Sequence, residues 1–190
     1  DPEIRYMYWN MLDPRVGGLG KPQVALRRAL AMSYDVEEEV KVILNGQAVA
    51  AQYPIPPGVV GHDPHWKSSI KYDPAAANAL LDRFGYRRGP DGWRTYPDGA
   101  PMVIKYAARP DTQNRQLEEL VKKSYDAIGV RMEGQHEKFP ELLKAEKQCR
   151  LFSREGAWIA DYPDGDNFMQ LFYGPNAYQS NNACATIPEY

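Results

Sequence analysis

The sequence has no long apolar run. Apolar runs such as residues 102–104 and 157–160 are only a few residues each, far short of the roughly 20 apolar residues that cross a bilayer as a helix. Residues 1–8 contain no basic segment followed by an apolar one, so they do not form a secretory signal. The sequence therefore predicts no segment inserted in a membrane, and it leaves secretion of the parent protein open.

A strong excess of charge of one sign is also missing. The 23 basic and 25 acidic residues give a formal net charge of -2. Nucleic-acid binding depends on a sustained positive field that neutralises phosphates. Nucleic acid is therefore not an expected partner.

Residue patterns typical of metal sites and of cofactor chemistry are scarce. The two cysteines, Cys149 and Cys184, belong to no Cys/His metal spacing, and the three histidines are dispersed. Residues 17–20 (GGLG) lack the strand, turn and helix of a phosphate loop, and no serine lies in a nucleophile elbow. We predict no metal, no cofactor and no catalytic residue. For the cysteines, two free, half-buried thiols are favoured over a disulfide.

The remaining pattern is typical of an α/β domain. An amphipathic helix at 112–128 lies between strands at 102–107 and 130–133, and this βαβ order predicts parallel strands with a right-handed crossover. Residues 53–58 predict an ordered loop, and 89–99 predict a small hairpin around Trp93. The other predicted strands cover 4–10 and 150–157, and the other helices 22–33, 35–44, 74–84, 140–147 and 167–173. Asp35 and Asp73 are the predicted N-caps of two of these helices.

One segment concentrates chemistry. Residues 158–168 (WIADYPDGDNF) directly follow a predicted strand and bring three carboxylates and two large aromatics into a turn. Asp161 with Asp164 or Asp166 could act as the acid and base of a hydrolase, although the spacing is unspecific. The last two acids could also simply cap the short helix that begins near residue 167.

Calcium binding fits this segment poorly. Placing Gly165 at the sixth position of an EF-hand loop puts Ala160 first and Leu171 twelfth, where oxygen ligands are required.

The carboxylate of Asp161 is expected to be partly buried, because Trp158 and Tyr162 beside it imply burial, and a buried, unpaired charge is costly. We therefore expect a half-buried Asp161 with a cationic partner, either internal or bound.

Five segments together resemble the family 5 extracellular solute-binding proteins of bacterial ABC importers, the dipeptide, oligopeptide and nickel type. They are 22–35 (PQVALRRALAMSYD), 44–58 (LNGQAVAAQYPIPPG), 72–86 (YDPAAANALLDRFGY), 127–130 (AIGV) and 158–174 (WIADYPDGDNFMQLFYG). The resemblance implies a type II periplasmic-binding-protein-like lobe, with a mixed sheet, a βαβ unit and flanking helices. Residues 1–190 would form a single ligand-binding lobe, most of the second of two lobes, with the first lobe absent.

The resemblance also implies site residues. In peptide-binding members the acid of the W-x-A-D motif holds the amino group of the ligand, and the matching residue is Asp161. Trp158 and Tyr162 would form the wall and floor of the cleft, with core packing as the alternative for each. Asn10 resembles an asparagine near the hinge that would line the cleft.

One position departs from peptide binders. Some of them carry arginine three positions before the tryptophan, where this sequence has Glu155, preceded by Arg154. The partner for a peptide carboxylate is therefore not evident from the motif.

The resemblance implies binding without catalysis. The expected ligand is a peptide-like or other small solute, the expected partners are ABC permease subunits of the inner membrane, and the expected location is the periplasm. Two alternatives stay open: a hydrolase that uses Asp161 and Asp164, and an interaction module in which Asp161 is paired inside its own chain with no concave surface beside Trp158.

Overall fold

The computed structural model describes residues 2–178 and 180–186. The strands are β1 (Glu3–Trp9), β2 (Val103–Ala108), β3 (Arg131–His136) and β4 (Ser153–Ile159). The helices are α1 (Lys21–Met32), α2 (Val36–Glu38), α3 (Pro74–Arg83), α4 (Thr112–Ala127), α5 (Phe139–Lys147) and α6 (Asp166–Met169). A π-helical turn, Glu39–Ile43, continues α2, and two 3-10 turns, Gln170–Phe172 and Gly174–Asn176, follow α6. No helix in the described ranges has the length and apolarity that crossing a bilayer requires.

The four strands form one mixed sheet in the order β1-β4-β2-β3. β2 and β3 are parallel and joined through α4, which confirms the predicted βαβ unit. β1 runs antiparallel to β4 along its whole length, whereas β4 meets β2 only at the pair Ala107 and Arg154. The chain leaves β2 towards β3 and then returns across β2 to β4. A reversal of this kind opens a crevice at the carboxyl ends of the strands.

Helix starts follow the local sequence. The Asp35 side chain accepts a hydrogen bond from the Glu38 amide, and Asp73 accepts one from the Ala76 amide, as predicted for both caps. The second helix stops where predicted, since Asn45 and Gly46 both have positive φ. The π-helical turn in its second half was not predicted.

The main core lies on one face of the sheet, beneath α1, α3 and α4. Its fully buried side chains include Leu26, Leu30, Leu81, Ile104 and Ile128. A second, smaller cluster on the other face contains Ile4, Val59 and Phe168, with Trp158 packed against it. This second cluster anchors the W-x-A-D segment to the sheet.

A small hairpin was predicted around Trp93, but no strand forms there. The segment instead forms turns joined by single bridges, Arg88 to Arg94 and Thr95 to Pro101. Arg94 is buried in this segment (2% exposed), whereas Trp93 is only partly buried. The Nε of Arg94 donates to the Ile128 carbonyl (2.7 Å), and Nη1 donates to the Tyr86 carbonyl (2.5 Å). Arg94 thus serves a carbonyl at the end of α4, where intrahelical partners run out, and another in the loop after α3.

The expectation of two free thiols is wrong. Cys149 and Cys184 form a disulfide, with their Cα atoms 6.1 Å apart at a sequence separation of 35 positions. The pairing joins the turn after α5 to the segment that follows the 3-10 turns. A disulfide is typical of proteins that reside in an oxidising compartment.

Candidate functional site

The W-x-A-D segment projects from the carboxyl end of β4. The strand ends at Ile159, and the amide of Ala160 still donates to the Pro2 carbonyl (2.9 Å), so the turn starts at a fixed point. The loop before α3 holds the turn from the other side: Val60 donates to Pro163 (3.2 Å) and accepts from Gly165 (2.9 Å). A Cβ on residue 165 would lie 2.7 Å from Ile55 Cδ1. A larger residue here would therefore require the end of the Ile55 side chain and the Val60 carbonyl, 3.0 Å away, to shift.

Asn167, which sequence reasoning missed, organises the turn. Its side chain is 1% exposed, and Oδ1 accepts hydrogen bonds from Trp158 Nε1 (3.0 Å) and from the Asp161 amide (2.9 Å). Nδ2 lies 3.5 Å from Asp161 Oδ2. One buried amide thus fixes the tryptophan and the backbone of the acid together. The signal in the sequence was an asparagine at the start of the helix that follows the motif.

Asp161 itself is exposed, so the expectation of a half-buried carboxylate is wrong for this structure. The physical reason is that β4 ends two residues earlier and the turn carries the acid away from the sheet. Within residues 2–178 and 180–186 no Lys, Arg or His forms an ion pair with it. The interaction-module alternative required an internal partner for this acid, and the described chain supplies none.

The two aromatics of the segment differ. Trp158 is partly buried, packs against the smaller core cluster and also lines a groove, so core packing and exposure to a ligand are combined in one side chain. Tyr162 is 47% exposed, and its hydroxyl donates to Asp166 Oδ2 (3.2 Å). Tyr162 therefore lies on the outside of the turn. Its role as the floor of a cleft stays a prediction.

The structure does not bring Asn10 to the other predicted site residues. Asn10 follows β1 and donates its backbone amide to the Phe152 carbonyl just before β4. Asp161 follows β4 at the opposite end of the same antiparallel pair. The Asn10 side chain donates to the Cys149 carbonyl (2.7 Å) and accepts from the Leu12 amide (3.0 Å). Its ligand-binding role stays a prediction, and its observed contacts are internal.

A groove of about 460 Å³ opens at the carboxyl end of the sheet, where β4 continues past the end of β2. Its lining comes from β1, β4, the residue after β2, the first two turns of α4, the whole length of α5 and the segment after the 3-10 turns. The side chains and backbone that line it are those of Arg5, Arg109, Gln113, Asn114, Leu117, Phe139, Leu143, Glu146, Lys147, Arg154, Glu155, Gly156, Ala157, Trp158, Ser180 and Asn182. The concave surface beside Trp158 is a second observation against the interaction-module alternative.

Two arginines that line this groove differ in how strongly they are paired with acids of the chain. The guanidinium of Arg154 is committed to Glu146 (2.6 Å), and the Tyr8 hydroxyl donates to the same carboxylate (2.7 Å). Arg109 is 49% exposed at its side chain, lies over the Phe139 ring and has only a long contact of 3.5 Å to Asp111. Of these two arginines, Arg109 is therefore the better placed to receive an anionic group. Sequence reasoning missed it, although it directly follows a strand that was predicted.

Glu155 is an ionisable group on the groove wall. Burial, together with repulsion from Glu39, raises the pKa of its carboxyl to about 7, although Arg5, Arg154 and Arg109 act in the opposite direction. Because the carboxyl keeps its proton to higher pH in the folded protein, the folded state binds more protons than the unfolded chain between about pH 4.5 and 7. The free energy of unfolding should therefore fall as pH rises through that range.

A pH comparison tests this assignment. We expect the free energy of unfolding of the 190-residue chain, measured in urea, to fall by about 2 kcal/mol between pH 5 and pH 8 through Glu155 alone. Glu155→Gln should remove that component, whereas Glu137→Gln, at an exposed position, should leave it unchanged. An identical pH response in the wild type and Glu155→Gln would contradict the buried, protonated carboxyl.

The fold and the site together define a class of protein. Solved structures that match nearly the whole chain are type II periplasmic binding proteins. They include the periplasmic binding protein DppA of Helicobacter pylori in complex with the peptide STSA (TM-score 0.79, 20% identity, 96% of this chain and 33% of that one). NikA of Brucella suis in complex with Fe(III)-EDTA is also similar (TM-score 0.80, 20% identity, 98% and 36%). At these identities the likeness shows the fold, and it confirms the predicted class.

The family itself is shown by sequence. The chain belongs to the bacterial extracellular solute-binding proteins, family 5, whose middle region matches residues 2–180. Di/tripeptide-binding protein 2 of Pseudomonas aeruginosa is 29% identical over 160 residues, which are 83% of this chain and 26% of that protein. A dipeptide-binding protein of Pseudomonas aeruginosa is 24% identical over 165 residues, 84% of this chain and 28% of that protein. The chain thus spans about a quarter of the length of these relatives.

The hydrolase alternative finds no support. The proteins to which the chain is similar are named as binding proteins. Asp161 and Asp164 both lie exposed on one turn, whereas an acid and base pair needs two different environments.

Proposed function

We propose that residues 1–190 form the second ligand-binding lobe of a two-lobe solute-binding protein that delivers peptide-like solutes to an ABC importer. Its partners would be the permease subunits of the inner membrane, and its location the periplasm. Family membership, the peptide-binding names of the relatives and the disulfide support this assignment. The lobe binds its ligand without covalent chemistry.

The observation that carries the proposal is the carboxylate of Asp161, which has no ion pair among the described residues and follows three positions after Trp158, a residue that lines the groove. A carboxylate without an internal cation forms a strong charge-assisted bond with an ammonium group that reaches it. Its backbone is fixed by Asn167, so the acid is held in place before the ligand arrives. The amino group of a peptide is the matching cation.

The groove provides the other contacts that a short peptide needs. Gly156 and Ala157 line it from a stretch of β4 whose only described bridge to β2 lies earlier, at Arg154. An extended peptide pairs readily with an unpaired strand edge. Arg109 would receive the peptide carboxylate, the role for which the motif offered no residue. Trp158 would supply an apolar wall that accepts side chains without strict selection.

Two lobes are needed for tight binding in this scheme. A ligand that touches both lobes stabilises the closed state, which is the form that the permease recognises. The exposure of Asp161 is consistent with this arrangement, because the first lobe would bury the acid only on closure.

Calorimetric titration tests the function. The complete protein that contains this chain should bind at least one of Ala-Ala, Ala-Leu, Ala-Lys and Ala-Glu. N-acetylation of that dipeptide, which removes the cation and keeps the side chains, should weaken binding by about 100-fold. The isolated 190-residue chain should bind more weakly than the complete protein by a similar factor. Equal affinity for the free and acetylated dipeptide, or no binding of any of the four, would overturn the proposal.

A further inference from the structure

We infer that the Cys149–Cys184 disulfide and Asn10 form a positioning device for one wall of the ligand groove, the segment that carries Ser180 and Asn182. The inference rests on the proposed function, since the wall matters only if the groove takes a ligand. It assigns a binding role to residues that touch no ligand themselves.

The wall has little structure of its own. Residues 180–186, which are described throughout, contain no helix and no strand. Near its start, Asn181 forms a bridge with Ala177 and donates hydrogen bonds to the carbonyls of Asn176 (3.1 Å) and Tyr173 (3.2 Å). Ser180 and Asn182 nevertheless line the groove, and Asn182 Nδ2 lies 3.4 Å from the Tyr6 hydroxyl. Something outside the segment must therefore fix its position.

The disulfide supplies the first fixed point. Cys184 is fully buried two residues after Asn182, and its partner Cys149 directly follows α5 and its C-cap, Gln148. α5 contributes Phe139, Leu143 and Glu146 to the opposite side of the groove. The covalent bond thus ties two walls of the same groove to each other.

The end of β1 supplies the second fixed point. The Met11 amide donates to the Ala183 carbonyl (2.7 Å), one residue before Cys184. The neighbouring Asn10 side chain donates to the Cys149 carbonyl (2.7 Å). Asn10 and Met11 therefore bind the backbone at or next to the two cysteines of the disulfide. Because both residues directly follow β1, the groove wall is fixed in position relative to the sheet.

The consequence for binding follows from preorganisation. A wall that is held in its bound position before the ligand arrives loses no further freedom on binding. Without the disulfide, the segment would be restrained by hydrogen bonds only, chiefly those of Met11 to Ala183 and of Asn181 to the preceding turns. The ligand would then have to supply part of the ordering of Asn182. The affinity should fall even where the lobe stays folded.

A double-mutant cycle in the complete protein, with Ala-Leu as the probe, tests this coupling. Cys149→Ser/Cys184→Ser and Asn182→Ala should each weaken binding by about tenfold at 10 °C. The triple variant should be no weaker than the cysteine pair, because the pair already removes what Asn182 contributes. Asn176→Ala is the control. Asn176 lies in the 3-10 turn that precedes this segment and does not line the groove, so the variant should bind like the wild type.

The outcomes separate the two proposals. A cysteine pair that lowers the melting temperature but binds Ala-Leu like the wild type would overturn the positioning role and leave the proposed function intact. The same holds if Asn182→Ala, which keeps the disulfide, has no effect on affinity. A wild type that binds none of the four dipeptides would overturn the proposed function, and the inference with it.

Discussion

Replacing Asp161 by asparagine is expected to weaken binding of an amine-bearing dipeptide to the complete protein by about 100-fold, or roughly 2–3 kcal/mol. Asparagine keeps the shape of the side chain and the backbone bond to Asn167, so the turn should not change. What is lost is the negative charge opposite the ammonium group. The estimate is at the low end for charge pairs because Asp161 is exposed in this structure.

Calorimetry against Ala-Leu and its N-acetylated form checks this prediction. The variant should lose affinity for the free dipeptide and lose almost none for the acetylated one. Asp164→Asn, which removes an exposed charge from the same turn, is the matched control and should bind like the wild type. Equal losses for both variants would show a general field effect and contradict a specific contact at Asp161.

The second large effect is on stability. We expect Arg94→Met to lower the free energy of unfolding of the 190-residue chain by about 3–4 kcal/mol. The substitution leaves the carbonyls of Ile128 and Tyr86 without their donor in a buried site, and it also removes the pair with Asp82 (2.5 Å). Buried carbonyls that lose their partner cost about 1–3 kcal/mol each.

Urea unfolding followed by circular dichroism measures this loss. Arg87→Met is the control, because Arg87 is an exposed arginine in the same turn-rich segment, and it should change stability by about 0.5 kcal/mol or less. A similarly small effect for Arg94→Met would show that water or neighbouring groups replace the guanidinium, and would contradict its role in the core.

Local sequence patterns predicted most of the architecture. The helix over Thr112–Ala127 is amphipathic over its full length and lies between two short segments with strand patterns, so the βαβ unit followed from periodicity. Asp35 and Asp73 were recognisable as caps because capping depends on residues three positions apart.

Features that depend on distant parts of the chain were missed. The disulfide joins residues 35 positions apart, and no spacing rule covers it. Arg109 enters the groove only because β2 ends where β4 continues, which depends on strand order. Arg94 was missed for another reason. Aromatic residues are buried far more often than arginine, so the pattern pointed to Trp93 as the central residue of the segment.

In the candidate site, too, local features were predicted and features that depend on distant residues were not. The W-x-A-D segment was found from its residues and from the strand that precedes it. Its expected burial was wrong, because burial depends on where β4 ends and on what covers the turn. Asn10 was placed correctly at the end of β1, yet antiparallel pairing puts it at the other end of β4 from Asp161.

The most direct test of the proposed receptor role is a crystal structure of the complete protein with Ala-Leu bound. We predict that the dipeptide lies between the lobes with its ammonium nitrogen about 3 Å from the Asp161 carboxylate. A dipeptide whose ammonium group pairs with a different acid, while Asp161 still faces solvent, would contradict the claim that this lobe holds the amino group of its ligand.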